Sequence, residues 1–567
     1  SHPVEIEPNT PVDVKMKSNY GLKRTYFTFF GKFSDLTSIQ KETIPLVLEK
    51  KNSLIIAPTA SGKTEAIMAP ACEVLLSNSK TGKNQLKLLY VVPTKALVSD
   101  ILKRLKDKIE ILGLTIGGRT GDTRSFKKND PQDILITTPE STDSLLSTDP
   151  ELFSNLEFLI IDELHFLDNT YRGDQLRIII NRIQNNLKNK NLGVYGISAT
   201  INSPEQVMNR YMKDGTVVKN SNNSREITFI PVDSRNKLYL KKLKKFVLDK
   251  KLKKLLVFCN SKKETIQFCS ELKDTFIEEK LRIFEHHASI DLKIRKQIEQ
   301  ELASNRFSIC VCTTTLEIGI DIGDIDAVIL KKPPLTVSSF LQRIGRGNRR
   351  TNKTRCLGIY DNDEEKNQFD QMKNDAKNGK IEFYEYAPDI SVCVQQILSL
   401  TFQHYNQIQL KLDENKIIEF LKPFNFKDSV ILEIIEHLIF EEELIEKKKI
   451  REKIFIFPSE KMQNSFLEKP FKRIRINSNI PERYNDVQVF DEKGTKIGTI
   501  APPENIESFN LASKKWKIQN YSGNKMVVEQ TSSAMGIPSF NNSKFGYFHY
   551  KLPKKYQNIS QIMEWFN

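Results

Sequence analysis

Short apolar runs, each closed by polar or turn residues, recur along the first two thirds of the chain. They are "SLIIAP" (53–58), "LKLLYVVP" (86–93), "DILITTP" (133–139), "LEFLIIDE" (156–163) and "GVYGISAT" (193–200). Short continuous apolar runs of this kind predict strands buried on both faces. Amphipathic stretches such as "TKALVSDILKRLKDKIEIL" (94–112) separate them and read as helices. That alternation predicts a parallel sheet covered by helices. The pattern returns at "KLLVFCN" (254–260), "FSICVCTT" (307–314), "IDAVILKK" (325–332) and "CLGIYDN" (356–362). Two α/β lobes follow. They divide near 202–245, where "NNSRE" and the basic run "KKLKKFVLDKKLKKLL" interrupt the pattern.

Beyond about 385 the periodicity changes. Residues 390–405, 414–426 and 428–449 read as helices, and "KIFIFPS" (453–459) as a strand or wing, so a small winged-helix domain is expected. From about 470 alternating runs separated by "DEKG" and "YSGNK" predict a small antiparallel barrel or sandwich, closed by a short helix in "ISQIMEWFN". The resulting division is 1–225 (N-terminal segment and first lobe), 226–380 (second lobe), 381–468 (winged helix) and 469–567 (β-domain with C-terminal helix). At roughly 100–200 residues per domain, a chain of 567 residues has room for these.

Composition narrows the partner more than the fold. An excess of Lys and Arg gives a formal net charge of +15, which favours a polyanion, nucleic acid before a membrane surface. No apolar run of about 18 residues predicts a membrane span. The seven cysteines are scattered and form no C-x-x-C pair, which argues against a zinc site or a disulfide framework. Buried reduced thiols, and an opening without a leader-like pattern, lead us to expect a cytoplasmic protein.

Three stretches carry chemistry. "APTASGKTEA" (57–66) follows a strand and opens a helix, as a phosphate-binding loop must, although Ala57 stands where the strict pattern has glycine. Gly62 permits close backbone approach, Lys63 would reach the β- and γ-phosphates, and Thr64 would place its hydroxyl on Mg²⁺. Thr59, Ala60, Ser61 and Glu65 complete the candidate loop. In "LIIDELHFL" a buried strand runs into Asp162 and Glu163. A carboxylate there needs a cation or donors. Asp162 would hold Mg²⁺ and Glu163 would direct the attacking water. "FLQRIGRGNRR" (340–350) gathers Arg343, Arg346, Arg349 and Arg350. If helical, Arg346 and Arg349 share a face and suit phosphate clamping across a cleft.

Taken in order, "LTSIQ", "APTASGKT", "PTKAL", "RTGDT", "TTPES", "DELH", "SAT", "VFCNS", "TTTLEIGIDIGDID" and "QRIGRGNR" resemble the motifs of a superfamily 2 helicase over residues 37–350. Within that superfamily "RTGDT", "FCNS", "HHASID", "TLEIGIDIGDID" and "SVCVQQILS" are most similar to the Lhr (large helicase-related) group of DExH-box helicases. The resemblance implies an α/β fold of two tandem RecA-like lobes, then a winged helix and a small antiparallel β-domain. It implies that Gln40 reads adenine, with Phe30 or Phe33 stacking on the base. It makes Gln342, Arg346 and Arg349 the arginine-finger motif, and Gly319 and Asp321 the second-lobe segment that meets nucleotide and strand. His165 would couple the site to Ser198 and Thr200. Pro93, Thr94, Thr120, Gly121, Thr138, Pro139, Ser261 and Thr314 would grip a nucleic-acid backbone.

The expected protein is therefore an ATP- and Mg²⁺-dependent helicase or translocase. It would be a monomer moving 3′ to 5′ along single-stranded or partly duplex nucleic acid, DNA rather than RNA, and could unwind DNA or RNA–DNA duplexes. DNA repair, or work beside a nuclease in an anti-phage or restriction assembly, are the roles considered. An RNA helicase and a catalytically silent binding module are the rivals, the latter opposed by intact Lys63, Glu163 and Arg349. "GRGNRR" departs from the more usual G-R-A-G-R ending and leaves Arg350 unassigned. Residues 324–342 leave little room for a strand-separating hairpin, so translocation is better supported than unwinding. Lys472, Arg473 and Arg475 could line a strand path, against the commoner reading of a solvated strand face. Trp516 could stack a base, but a core position is expected. His286 and His287 are read as structural.

Overall fold

The structure, a computed structural model, describes residues 19–567 except 59–60, 79–83, 200, 221–225, 305–306, 319–320, 348–352, 382–385, 408–410, 468–475, 482–485, 535 and 541–544. The first lobe is built on a sheet of β1 (Ser53–Ile56), β2 (Leu88–Val91), β3 (Ile116–Arg119), β4 (Ile134–Thr137), β5 (Phe158–Ile161), β6 (Gly193–Ser198) and β7 (Thr216–Lys219). Their spatial order is β3-β4-β2-β5-β6-β1-β7, and every pair is parallel. The second lobe uses β8 (Glu226–Asp233), β9 (Lys254–Phe258), β10 (Arg282–His286), β11 (Ser308–Cys312), β12 (Ala327–Lys331) and β13 (Lys353–Tyr360). Their order is β10-β11-β9-β12-β13-β8, again parallel throughout.

The sequence pattern finds every interior strand of both sheets and none of the four edge strands, β3, β7, β8 and β10. Interior strands are covered by helices on both faces and must be apolar throughout. Edge strands escape that demand: β8 has no buried residue and β7 only Val218, and β3 reads Ile-Gly-Gly-Arg. The stretch 202–245, expected to interrupt the pattern, in fact supplies β7 to one sheet and β8 to the other. The lobes touch. Ile318 of the second packs into the apolar cluster of the first, and Lys296 donates from its Nζ to Ser99 Oγ at 3.1 Å.

Helices Ser391–Asn406, Glu414–Leu421 and Asp428–Phe440 follow, with an antiparallel hairpin of β14 (Ile445–Ile450) and β15 (Lys453–Pro458). The expected helix over 428–449 stops at Phe440 because the chain turns at Glu443, whose φ of +53° is left-handed. "IEKKKI" is then a strand. The first of these helices is buried along almost its whole length, because it lies between this module and the first lobe. A last sheet comprises β16 (Val487–Asp491), β17 (Lys496–Ile500), β18 (Ser508–Leu511), β19 (Lys514–Ser522) and β20 (Lys525–Gln530), in order β17-β16-β20-β19-β18. Its neighbours are antiparallel except β16 and β20, which are parallel. The chain ends in a 3₁₀ turn, Ile559–Trp565, that returns to the three-helix module. All seven cysteines are buried and unpaired. Among the described residues no helix is long and apolar enough to cross a membrane.

Candidate nucleotide and nucleic-acid site

Parallel strands place all their C-terminal ends on one edge of a sheet, where binding residues collect. The loop after β1, Thr94 after β2, Thr120 after β3, Thr138 after β4 and Asp162 after β5 share such an edge, with Ser198 at the end of β6. Residues scattered over a hundred positions become neighbours for this topological reason.

Gly62 caps the helix Lys63–Ser77 with φ +75°, and a Cβ there would sit 2.3 Å from Gln40 Nε2. Only glycine fits. Ala57 has no positive φ and is buried in the core, so its position makes no such demand. Lys63 Nζ donates to the carbonyls of Ala57 (2.5 Å) and Ser198 (3.4 Å). Burial depresses its pKa, against the nearby charges of Glu163 and Asp162. Thr59 and Ala60 lie outside the described residues.

Asp162 is held by two donors, Tyr90 O–H at 2.6 Å and the Glu163 N–H at 2.8 Å. Burial first, and the Glu163 charge second, push its pKa up to about 6. Glu163 has φ +49°, an unusual conformation for a non-glycine residue, at the start of the turn Leu164–Leu167. His165 Nδ1 accepts the Ala199 N–H at 3.1 Å and lies 3.2 Å from Ser198 Oγ. A backbone N–H can only donate, so the ring hydrogen belongs on Nε2, which lies 3.2 Å from Glu163 Oε2. Burial, and the charge of Lys63, lower the His165 pKa to about 3, and the ring is neutral. Thr200 lies outside the described residues.

Gln40 closes the loop from the other side. With Thr37 it forms a capping box at the start of the helix Ser38–Leu48, and its Nε2 donates to Gly62 O at 3.3 Å. Of the two aromatic candidates, Phe30 is 1% exposed and part of the core, whereas Phe33 is 63% exposed. From the second lobe, Arg346 reaches the interface with the first and is 2% exposed. The helix Val337–Ile344 ends before it, so Arg346 itself lies past the helix end. Arg343 belongs to the second lobe's own interior: it is 2% exposed and donates to Glu317 Oε1 (2.7 Å) and Asn260 Oδ1 (3.0 Å). Gln342 lies on the helix before Arg346, half-buried, and Asp321 is exposed. Gly319, Arg349 and Arg350 lie outside the described residues, as do Lys472, Arg473 and Arg475. Sequence reasoning missed Arg104, which lines the nucleotide cleft with Lys63, Glu65, Asp162 and Glu163, and whose Nη2 lies 3.4 Å from Glu65 Oε1. Its position four residues after Asp100 on an interface helix becomes visible only in three dimensions.

Three of the proposed backbone-gripping hydroxyls are helix N-caps. Thr94 Oγ1 accepts from Leu97 N, Thr138 Oγ1 from Ser141 N and Ser261 Oγ from Glu264 N. Pro139 occupies the first turn of the helix Pro139–Thr148. Helix N-termini of this kind carry partial positive charge suited to phosphates. Thr120 is buried and its hydroxyl oxygen caps the turn that presents exposed Gly121. Pro93 is buried, and Thr314 is exposed.

The DEAD/DEAH box helicase family matches residues 37–207, and the helicase conserved C-terminal domain matches residues 239–351. Together they take up half of the chain and contain the loop, Asp162 and Arg346. The chain belongs to the superfamily 2 helicases. It is 32% identical over 397 residues to the ATP-dependent helicase Lhr-Core of Methanocaldococcus jannaschii, covering 62% of this chain and 45% of that one. It is 27% identical over 610 residues to the Lhr-Core of Saccharolobus solfataricus, covering 96% and 66%. The chain thus spans less than two thirds of the length of either relative. The helicase Lhr of Mycobacterium smegmatis bound to ssDNA and AMP-PNP shares the fold with a TM-score of 0.67 at 23% identity, covering 81% of this chain and 62% of that chain. The helicase MrfA bound to DNA does so at 0.70 and 19%, covering 90% and 69%.

As a superfamily 2 helicase the chain has compact joints. Residues 324–342 hold β12, a short loop ending in the highly exposed Leu335 region, and the start of the helix Val337–Ile344, with no hairpin. Trp516 is 4% exposed and donates from Nε1 to Leu511 O at 2.8 Å, a core residue rather than a stacking platform. His286 joins Thr315 Oγ1 (2.7 Å) to Glu299 Oε1 (3.0 Å) inside the second lobe, and His287 is fully buried.

Proposed function

We propose that the chain is an ATP-driven motor that moves along single-stranded nucleic acid, DNA before RNA. One observation carries the reading: the Lys63 loop and the Asp162–Glu163 pair meet on one sheet edge and line one cleft together with Leu97, Ile101 and Arg104. ATP entering that cleft would take Lys63 Nζ from its two carbonyl partners onto the phosphates, where the low dielectric strengthens the contact. Gln40 would meet the adenine edge and Phe33 would stack on the ring. The residues fit a divalent cation: Asp162 is a buried carboxylate whose pKa is raised by burial and by the neighbouring Glu163 charge, and Thr64 supplies a hard oxygen. Mg²⁺ bound by Asp162 and Thr64 would neutralise phosphate charge. Glu163 would take the proton of the attacking water, with neutral His165 holding it towards the Ser198–Ala199 segment. Arg346, with Arg349, would stabilise charge on the transferring phosphoryl group.

Closure of the lobes would draw the N-capped helix ends at Thr94, Thr138 and Ser261 along the strand, with the contacts to phosphate and sugar that leave sequence unread. Movement 3′ to 5′ follows from the Lhr resemblance, and the ssDNA in the mycobacterial neighbour supports DNA as the track. The three-helix module with its basic hairpin is proposed as a winged helix. ATP hydrolysis measured with matched single-stranded DNA and RNA tests the reading. DNA should stimulate more strongly, and Glu163→Gln should lower the stimulated rate by at least about a hundredfold. No stimulation by either strand would sink it, and a larger response to RNA would reassign the track.

A further inference from the structure

The turn that begins at Glu163 and carries His165 is fastened from outside the nucleotide cleft. Asp168 closes the turn Leu164–Leu167, its backbone N–H donating to Leu164 O at 2.8 Å. Its buried carboxylate accepts the Arg210 guanidinium as a fork, Nε at 3.0 Å and Nη2 at 2.7 Å, and the Tyr211 hydroxyl at 2.9 Å. The same guanidinium lies over the ring of Tyr386, 4.0 Å from its centroid. Tyr386 comes from elsewhere in the chain, between the last helix of the second lobe, Asp363–Lys377, and the helix Ser391–Asn406. Its hydroxyl donates to Asp174 and accepts from Arg177 Nη1 at 2.5 Å, both on the helix Tyr171–Asn186 that follows the turn. Arg177 Nε donates in turn to Arg210 O at 3.1 Å. Two more bonds flank Tyr386: Asn202 Nδ2 donates to Ile381 O at 3.2 Å, and Asp389 N to Asp174 Oδ2 at 2.8 Å. The chain that leaves the second lobe is thus fastened to the first lobe beside the catalytic turn.

We infer that Tyr386 is a positioning residue for ATP hydrolysis: its ring seats the Arg210 guanidinium, Arg210 with Tyr211 holds Asp168, and Asp168 ends the turn that begins at Glu163. The inference rests on the role given to Glu163 above and adds a control on it from the chain that leaves the second lobe. A guanidinium forked onto a carboxylate keeps its planar face free for an aromatic ring, and the stack restrains its rotation. Glu163 has φ +49°, a conformation that persists only where the surroundings over-determine it. The turn is also pressed onto the next helix, since a Cβ at Gly173 would lie 2.1 Å from Leu167 O. A small shift of Asp168 is therefore felt at Glu163. Tyr386 is carried by the chain leaving the second lobe, so a change in the separation of the lobes bears on the Arg210–Asp168 fork and through it on the catalytic turn.

The test is strand-stimulated ATP hydrolysis by the whole chain, with the melting temperature measured alongside. Tyr386→Ala should lower kcat about tenfold, since small misplacements of a catalytic group are felt strongly. KM for ATP should stay within about twofold, because Tyr386 does not line the nucleotide cleft. Tyr386→Phe keeps the ring on Arg210 and should stay within about twofold of the wild-type kcat. Arg210→Lys keeps a cation for Asp168 but gives up the planar fork, and should lower kcat about fivefold. The two changes together should cost about tenfold rather than about fiftyfold, because Tyr386 acts through that guanidinium. Wild-type kcat in Tyr386→Ala or in Arg210→Lys overturns the inference, and so does full additivity. Equal losses in the Ala and Phe variants overturn it as well, by moving the effect to the hydroxyl and Asp174. If Tyr386→Ala melts early, Arg210→Lys and the Phe variant decide. Failure of the motor reading looks different: the wild type would hydrolyse ATP without responding to strand, and Tyr386→Ala would still lower that unstimulated rate.

Discussion

The two accessory modules are fastened to the two lobes by different physics. On the first lobe, the helix Ser391–Asn406 docks through side chains. Asp143, fully buried, accepts from Gln175 (2.9 Å), Gln395 (3.1 Å), Gln396 (2.6 Å) and Ser399 (2.5 Å). Arg182 lies 3.5 Å from the same carboxylate and donates to Gln396, Ser399 and Gln403. On the second lobe, the five-stranded sheet docks largely through backbone. Thr499 N donates to Ser289 O and Asp291 N to Ile497 O, both at 2.9 Å, and the Ala512 N–H meets Glu285. A network of named side chains specifies one partner surface, and a backbone seam needs only extended chain and room to approach. Because one module follows each lobe, any change in the separation of the lobes moves the modules against each other.

That contrast can be broken most severely at Asp143. Asp143→Leu leaves Arg182 buried without its counter-charge and should destabilise the chain by about 3–5 kcal/mol in urea unfolding. Adding Arg182→Met should recover most of the loss, because a buried pair replaced whole by apolar groups is nearly neutral. A double variant as unstable as the single one would show that the polar network, not the unpaired charge, holds the joint. Next comes Gly498, where a Cβ would lie 2.2 Å from Ser289 O. Gly498→Val should cost about 2 kcal/mol and open the β-module to protease before the rest of the chain. Unchanged protection there would mean that the seam does not fasten the module.

The smallest effect is a pH slope at the side-chain joint. Burial lowers the His404 pKa from 6.5 to about 4 despite a Leu400 carbonyl contact, with Arg182 and Lys416 adding repulsion. The unfolded chain therefore binds a proton below pH 6.5 that the folded chain refuses, and stability is lost as pH falls from 6.5 towards 4. The stability of wild type relative to His404→Gln should drop by about 1.4 kcal/mol per pH unit across that window. Parallel pH curves for the two proteins would place the ring in water.

What could be read from the chain differs between these regions for one reason. Interior strands and the phosphate loop depend on local demands: apolarity on both faces of a strand, and a glycine at φ +75° before Lys63. The edge strands β3, β7, β8 and β10 answer to weaker demands and were not visible. The stretch "SVCVQQILS" drew attention through resemblance, but nothing in its spacing said that Gln395, Gln396 and Ser399 converge on Asp143. The roles of Thr94, Thr138 and Ser261 as helix caps were likewise hidden within an expectation of phosphate contact.

By itself the sequence determined the two parallel-sheet lobes, the order of the helicase motifs and the residues that could meet a nucleotide, because each depends on neighbours a few positions away. Only the tertiary structure decided that Phe30 belongs to the core and Phe33 to the surface. It also decided that Arg343 serves the second lobe's interior while Arg346 lies near enough to Asp100 of the first to bear on its charge. These are choices among residues of the same type, and burial and charge across a cleft are set by segments hundreds of residues apart that periodicity cannot bring together.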